Sequence, residues 1–149
     1  TDIVHRIFSA KRTGLYGLGF SAYAAQYLCI QLVRLGMHAV AVTDASYQLM
    51  DAATLIENDL LFGFSSSGSA ASIIEAFNVA KKHGCYTIAV TSSSDSDLAK
   101  VSDMTILTTS SGPPHLIEIN NSIVEQISFA SAISSAVYHE LQRGKKRTI

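Results

Sequence analysis

The stretch Leu60-Leu61-Phe62-Gly63-Phe64-Ser65-Ser66-Ser67-Gly68-Ser69-Ala70 (LLFGFSSSGSA) passes from an apolar block straight into four serines and a glycine, without a lysine or arginine. A short apolar run bounded by turn residues is the pattern of a strand buried on both faces, as in a parallel sheet. The residues that follow change period. Over Ser69 to His83, Ile73, Ala76, Phe77 and Ala80 fall on one helical face, Lys81 and Lys82 occupy the last turn, and Gly84 provides a stop. Strand, hydroxyl-rich turn and helix make one β-α unit, and the unit recurs. Further strands are expected at Gly14 to Leu18, Ala39 to Thr43, Thr87 to Thr91 and Met104 to Leu107, with Leu60 to Phe64 at the centre. A buried helix over Ser21 to Leu35 ends at Gly36, shorter helices cover Tyr47 to Ile56 and Asp97 to Val101, and a long one runs from about Ile119 to Leu141. Before it, the prolines of Ser110-Ser111-Gly112-Pro113-Pro114 block helix and sheet alike. This alternation predicts an α/β fold, a five-stranded parallel sheet covered by helices.

At 149 residues and 48% hydrophobic, the chain can bury roughly two-thirds of its unfolded surface around one core and is short for two. One domain over residues 1–149 is expected. No apolar run approaches the ~20 residues that cross a bilayer, and no signal-peptide pattern opens the chain. We therefore expect a cytoplasmic protein without membrane contact. A formal charge of −1 argues against the broad basic surface on which nonspecific nucleic-acid affinity depends. The basic segment Arg143-Gly144-Lys145-Lys146-Arg147 reads as a solvated end. Cys29 and Cys85 have no C-x-x-C spacing and no nearby histidine pair, so they read as buried thiols in a reducing compartment rather than as a metal site or a disulfide. No metal and no cofactor are expected. The first residue is Thr1 rather than methionine, and the chain is expected to be a piece of a longer protein.

Open parallel sheets bind ligands at the carboxyl ends of their strands, where Ser65 to Ser69 would sit. The first N–H groups of the following helix lack intrahelical partners and face outward with the positive end of the dipole, which favours an anion. Serine hydroxyls add donors, and Gly68 lets the backbone curl close to a phosphate. A plain N-cap would need one hydroxyl, not four. The turn Gly17-Leu18-Gly19-Phe20-Ser21 brings a glycine pair and a capping serine, Ser21, to the end of the first strand. Thr91-Ser92-Ser93-Ser94-Asp95-Ser96 is a third hydroxyl-rich turn after a strand. The spacing G-x-G-x-S falls short of the dinucleotide fingerprint G-x-G-x-x-G, and Asp44, the acidic residue nearest the end of the second strand, lies in a turn. A nucleotide is not the expected ligand.

Three segments carry a family resemblance: GLGFSAYAAQYLCIQLVRLG, DASYQLMDAATLIENDLLFGFSSSGS and IIEAFNVAKKHGCYTIAVTSSSDSDLAKVSDMTILT. In that order they resemble the sugar isomerase (SIS) domain from about Arg12 to Leu141. Within that family the chain is most similar to the effector domain of RpiR-type bacterial transcription regulators, in which an N-terminal helix-turn-helix domain precedes the SIS domain. The resemblance implies a three-layer α/β/α sandwich of flavodoxin-like SIS fold, a sugar-phosphate ligand and a homodimer or higher oligomer. It further implies contact with DNA only through an N-terminal domain missing from this chain. In SIS domains a strand ending in S-x-S-G-x-T supplies the phosphate cradle, and Ser65, Ser67 and Gly68 occupy its first three fixed places. Its final threonine is Ala70 here, and the asparagine usual after the threonine of the third turn is Ser92. Losing one hydroxyl from a phosphate site removes about 1–3 kcal/mol unless a neighbour, Ser69 or Ser72, replaces it. The expected phosphosugar-binding residues are Gly19, Ser21, Ser65, Ser66, Ser67, Gly68, Ser69, Thr91 and Ser92.

An aldose-ketose isomerase needs a carboxylate or imidazole within reach of the carbon acid. Ser122-Ile123-Val124-Glu125-Gln126 resembles the segment that carries the catalytic glutamate of SIS hexulose-phosphate isomerases, which would make Glu125 a general base. The same residue also reads as a solvated helix glutamate. His115 and Glu118 stand beside the proline loop as further candidates, whereas His5, His38, His83 and His139 read as surface or helix-end residues. No second convincing acid or base stands at fixed spacing from Glu125, and the overall resemblance is to the RpiR-type regulators, so a non-catalytic phosphosugar sensor is favoured over an isomerase. Along the last helix Ile119, Ile123, Ile127, Ala130, Ile133, Val137 and Leu141 recur at spacings of three and four. Such a stripe serves either core packing or contact between subunits.

Overall fold

The computed structural model describes residues 2–108 and 121–146. Five strands, β1 (Thr13–Gly17), β2 (Ala39–Val42), β3 (Leu60–Phe64), β4 (Tyr86–Thr91) and β5 (Met104–Leu107), pair in parallel in the order β2-β1-β3-β4-β5. β3 is central. It is in register with β1 from Thr13↔Leu60 to Gly17↔Phe64 and with β4 from Leu60↔Tyr86 to Phe64↔Val90. Every residue of β1 and β3 is buried, as in strands covered on both faces. The strand order reverses between β1 and β3, and at that point the loops leaving the two strands diverge and open a crevice.

Alternate residues of β3 feed two cores. Leu60, Phe62 and Phe64 join Val4 and Ile7 of α1 (Asp2–Ser9), Leu28 and Leu32 of α2 (Ser21–Arg34), and Ala130 and Val137 of α6 (Asn121–Lys146). Leu61 joins Ala52 of α3 (Ala45–Ala52), Ile73 and Phe77 of α4 (Ala71–Lys82) and Leu98 of α5 (Asp97–Val101). Gly63 faces this second layer, where a Cβ would lie 2.7 Å from Phe77 Cζ and 2.8 Å from Ile73 Cγ2, so the missing side chain lets Phe77 close against the strand. The result is the expected α/β/α sandwich. On α6 the predicted stripe is core packing: Ala130 and Val137 are fully buried, and Ile127, Ile133 and Leu141 pack against the same layer. Phe129 of α6 meets Phe64, the last residue of β3, with ring centroids 6.4 Å apart.

Several boundaries differ from the sequence expectation for local reasons. Helix α1 was not anticipated; it seats Val4 and Ile7 in the core and lays Arg6 over the Tyr86 ring, 3.5 Å from its centroid. Helix α3 begins at Ala45 rather than Tyr47 because the Asp44 carboxylate accepts from Ser46 N and Tyr47 N and caps it, and it ends at Ala52 rather than Ile56. Helix α4 begins at Ala71, two residues late, and α6 continues beyond Leu141 to Lys146. The loop Ser110 to Pro114, and with it His115, Glu118, Ile119 and Arg147, lie outside the described residues.

Two polar clamps fix the edge of the sheet remote from the serine turns. Asp51 accepts from Arg12 Nη2 and, at 2.6 Å, from the Tyr16 hydroxyl, while Arg12 Nη1 donates to Thr54 Oγ1. Burial and the neighbouring Asp51 carboxylate push the Tyr16 phenol well above its usual range. Asp103 accepts from Thr87 N at 2.8 Å and Thr87 Oγ1 at 2.9 Å and pairs with Lys81 at 3.1 Å. Burial alone would raise its pKa; the Thr87 N–H, Lys81 and the Thr87 hydroxyl outweigh it, and the carboxyl lies below the ordinary value. Both cysteines are free; burial raises the Cys29 thiol, and burial with nearby Asp59 and Asp103 pushes that of Cys85 up to about 12. Among the described residues no helix is long and apolar enough to cross a membrane, and no group of three His, Cys, Asp or Glu could hold a metal.

Candidate functional site

The β3–α4 turn starts as a continuation of the ladder, with Ser65 N donating to Val90 O at 3.0 Å. It then folds on itself: Gly68 N donates to both Ser65 O and Ser65 Oγ at 3.1 Å, Ser67 Oγ and Ser69 Oγ lie 2.7 Å apart, and Ser69 N reaches Ser67 Oγ at 3.3 Å. None of these hydroxyls caps α4. Its N-cap is Ala70, which makes no side-chain cap bond, so the first amides of the helix are left open toward the turn. An open helix N-terminus beside clustered hydroxyls attracts an anion without formal positive charge.

The turn after β4 supports this loop from behind. The Ser66 carbonyl accepts from Thr91 Oγ1 at 3.0 Å, Ser92 Oγ at 2.7 Å and Ser92 N at 3.0 Å. Gly68 O accepts from Leu98 N in α5 at 3.0 Å, while Ser96 Oγ caps that helix through Ala99 N. Gly68 takes φ +65°, and any Cβ there would meet Ser96 Oγ at 2.2 Å and Thr91 Oγ1 at 2.9 Å, so only glycine fits between turn and support. Thr91 is fully buried. It holds the serine turn in place rather than facing the open site.

Across the β1–β3 switch point, α2 begins differently from the expectation. Ser21 is not its cap. The N-cap is Phe20, in helical conformation and without a side-chain cap bond, because Ser21 N, Ala22 N and Tyr23 N bond three residues back to Leu18 O, Gly19 O and Phe20 O in a tightened entry turn. The Ser21 side chain is thereby free of a capping role. Leu18, Phe20 and Ser21 form one side of a cavity of about 410 Å3 whose other walls are Ser65, Ser66, Ser67, Ser92 and Ser122. Gly19, with φ +56°, lies in the same β1–α2 turn. The three serine turns expected on one rim therefore meet there, and Ser69 stands beside them through Ser67.

One feature was not legible in the sequence: Ser122, at the start of α6, enters the cavity wall. Among the described residues the walls carry no lysine or arginine, in keeping with the serine stretch, and no carboxylate. Ser72 is not available to replace the hydroxyl missing at Ala70, because its Oγ donates to Gln48 Oε1 at 2.9 Å and Gln48 in turn ties down Gly17 O and Val42 O. That leaves Ser69. Glu125 is not the solvated residue that one reading allowed: it is half-buried, and its Oε2 is sealed from solvent with no partner among the described residues.

Residues 6–136 match the SIS domain family. The regulator RpiR of Escherichia coli (strain K12), an HTH-type transcriptional regulator, is 31% identical over 109 residues that cover 70% of this chain and 37% of RpiR. The chain spans 37% to 39% of the length of such regulators. Among solved structures, NanR of Vibrio vulnificus complexed with ManNAc-6P superposes with a TM-score of 0.87 at 26% identity, over 97% of this chain and 55% of NanR. The sugar isomerase domain of an RpiR transcription factor from Sphaerobacter thermophilus gives a TM-score of 0.71 at 27% identity, over 95% of this chain and 84% of that one.

Proposed function

Because the chain belongs to the SIS domain family, we propose that it is the phosphosugar-binding effector domain of an RpiR-type transcriptional regulator. The observation that carries this reading is the hydroxyl-walled cavity of about 410 Å3 at the carboxyl edge of the sheet, a size suited to a small ligand. The phosphate lies against the open amides of α4 and the Ser65 to Ser69 turn, including Gly68. Ser21 and Gly19 close it from the β1–α2 side, Ser92 borders it, and Thr91 acts through the Ser66 carbonyl. The sugar extends toward Leu18, Phe20 and Ser122. Binding biases the pairing of two copies of the domain, and an attached helix-turn-helix domain, which alone touches DNA, reads the change in the cytoplasm. The outer side of α2, where Tyr23, Ile30 and Val33 are each more than half exposed, supports such pairing.

A thermal-melt screen of sugar phosphates tests the reading, with N-acetylmannosamine 6-phosphate, the ligand in the NanR complex, as the first compound. A ligand at a hundred times its dissociation constant adds ~2.7 kcal/mol, a rise of about 5–10 °C for a chain of this length. Ser67→Ala is expected to abolish the shift. No shift with any sugar phosphate would overturn the assignment, and a single monomeric species in sedimentation at high concentration would refute the pairing.

A second reading, an aldose-ketose isomerase with Glu125 as general base, rests on the sealed and unpartnered Glu125 Oε2. The described walls of the cavity carry no acid or base, which favours the sensor, since an isomerase must pass a proton between adjacent carbons. Formation of aldose from a ketose phosphate by the wild type, lost in Glu125→Gln, would reverse the order of the two readings.

A further inference from the structure

Buried polar atoms are almost always hydrogen-bonded, so exceptions mark places where something is missing. Among the described residues the buried side-chain atoms without a partner are Thr108 Oγ1, Glu125 Oε2 and both amide atoms of Gln126. They share one end of the fold. Thr108 follows β5, and its N–H bonds to Thr91 O at the carboxyl edge of the sheet; Glu125 and Gln126 stand near the start of α6. Gln126 is the extreme case, 1% exposed with neither the donor nor the acceptor end of its amide engaged.

Its place on α6 connects it to the cavity. Ser122, Gln126 and Ala130 follow one another at intervals of four on the buried face of the helix. Ser122 lines the cavity, and Phe129 rests on Phe64, the residue before Ser65. Gln126 thus lies between the core contact and the cavity wall, about 6 Å along the axis from Ser122. Gln126 is not itself one of the wall residues; it stands one turn behind Ser122, and side chains on a helix lean toward its N-terminus, the direction of Ser122. Packing does not require a polar residue at this position; Ala130, one turn further, is apolar and fully buried.

We propose that Gln126 is the residue that reads the sugar portion of the ligand, engaging a donor and an acceptor held side by side, as in adjacent sugar hydroxyls or an acylamino group. The proposal rests on the phosphosugar reading above. The phosphate end is held by the serine turn, and the sugar end is selected by an amide that stays unsatisfied until the sugar arrives. A sugar lacking the paired groups gains nothing from that amide, whereas one that carries them satisfies two buried groups that the free protein leaves unpaired, and the difference is the selectivity.

The test is calorimetric titration of wild type, Gln126→Met and Gln126→Asn with inorganic phosphate, glucose 6-phosphate and N-acetylmannosamine 6-phosphate, together with melting of the ligand-free proteins. Methionine has nearly the length of glutamine without its polar ends. Gln126→Met is expected to melt at or above the wild-type temperature, to bind inorganic phosphate within twofold of wild type, and to lose tenfold or more in affinity for the preferred sugar phosphate. Which of the two sugar phosphates suffers the loss tells adjacent hydroxyls from an acylamino group. Gln126→Asn, with its amide one methylene short, is expected to fall between the two. Equal sugar-phosphate affinity in wild type and Gln126→Met overturns the proposal, as does a parallel loss of phosphate affinity and melting temperature, which marks a structural role. A wild-type protein that binds inorganic phosphate but no sugar phosphate overturns the role of Gln126 and keeps the phosphate cradle; one that binds neither overturns both.

Discussion

Replacing Gly68 by alanine tests whether the serine turn is held by the β4–α5 segment beneath it. At φ +65° a Cβ would lie 2.2 Å from Ser96 Oγ, 2.3 Å from Ser96 Cβ and 2.9 Å from Thr91 Oγ1. The left-handed backbone alone costs an L-residue about 1–2 kcal/mol. Ser96 Cβ is no flexible chain end, so the N-cap of α5 has to move. That displaces the Ser96 cap on Ala99 N, worth about 1 kcal/mol, and the Leu98 N–H bond to Gly68 O, worth about 1 kcal/mol more. Gly68→Ala is therefore expected to lose about 3–4 kcal/mol, measured by urea unfolding followed by circular dichroism, with a drop in Tm of about 10 °C. The companion variant Ser96→Gly removes the two nearest obstructing atoms, leaving Thr91 Oγ1 at 2.9 Å as a contact that a small shift relieves, and costs only a few tenths of a kcal/mol at a cap. In that background Gly68→Ala should cost only the backbone strain, about 1–2 kcal/mol, and the difference between backgrounds is the coupling energy. A loss of under about 1 kcal/mol in the parent, or an equal loss in both backgrounds, would refute the account of the turn.

Thr91→Val removes the hydroxyl donor to Ser66 O while keeping the branched shape, and is expected to weaken phosphosugar binding about fivefold in calorimetry although Thr91 is sealed from the cavity; unchanged affinity would separate the support from the site. Asp51→Ala leaves the buried Tyr16 hydroxyl and Arg12 without their acceptor and should cost about 2–3 kcal/mol in guanidinium unfolding. Asp103 is held below its ordinary pKa, so its contribution is complete above the unfolded value of about 3.9 and is lost as pH falls through the folded one. Asp103→Asn should flatten that part of the acid unfolding profile and leave the slope above pH 5 unchanged.

β3 was legible because a strand covered on both faces has no choice but to be apolar throughout, and it keeps its expected bounds; the half-exposed edge strand β5 keeps its bounds too, and β1 shifts by one residue. Helix α1 was not read although Ile3, Val4, Ile7 and Phe8 fall on one helical face: eight residues are too few to hold a helix alone, and its anchor, Arg6 on Tyr86, exists only in the folded chain. The meeting of the Ser21 and Ser65 turns followed from strand order. What the sequence could not convey is the direction of individual groups. Nothing in Thr91-Ser92-Ser93 indicates that two hydroxyls and an amide turn inward onto the Ser66 carbonyl, or that Ser72 is committed to Gln48. Nor does the pattern reveal that Gly19 and a tightened turn move the N-cap from Ser21 to Phe20. Ser122 reaches the cavity through the packing of Phe129 on Phe64, a tertiary contact between residues 65 positions apart.

On the proposed reading, the arrangement of donors lets a site whose described walls carry no cation take up a dianion. A pair of lysines in the same place would repel each other in the vacant protein and raise the cost of burying either one. Hydroxyls instead satisfy one another: Ser67 with Ser69 at 2.7 Å, and Gly68 N with Ser65 Oγ at 3.1 Å. A phosphate bound as proposed would exchange these neutral bonds for charge-assisted ones, which are roughly twice as strong. The exchange cannot stay local. The Ser66 carbonyl is tied to the end of β4, Gly68 O is tied to α5, and Ser72 is tied through Gln48 to the ends of β1 and β2. Any rearrangement of the cradle is thus felt by the elements on both sides of it, and the free energy available to move them is the difference between the two sets of bonds. A ligand without the doubly charged ester makes only the weaker set and has nothing to drive that movement.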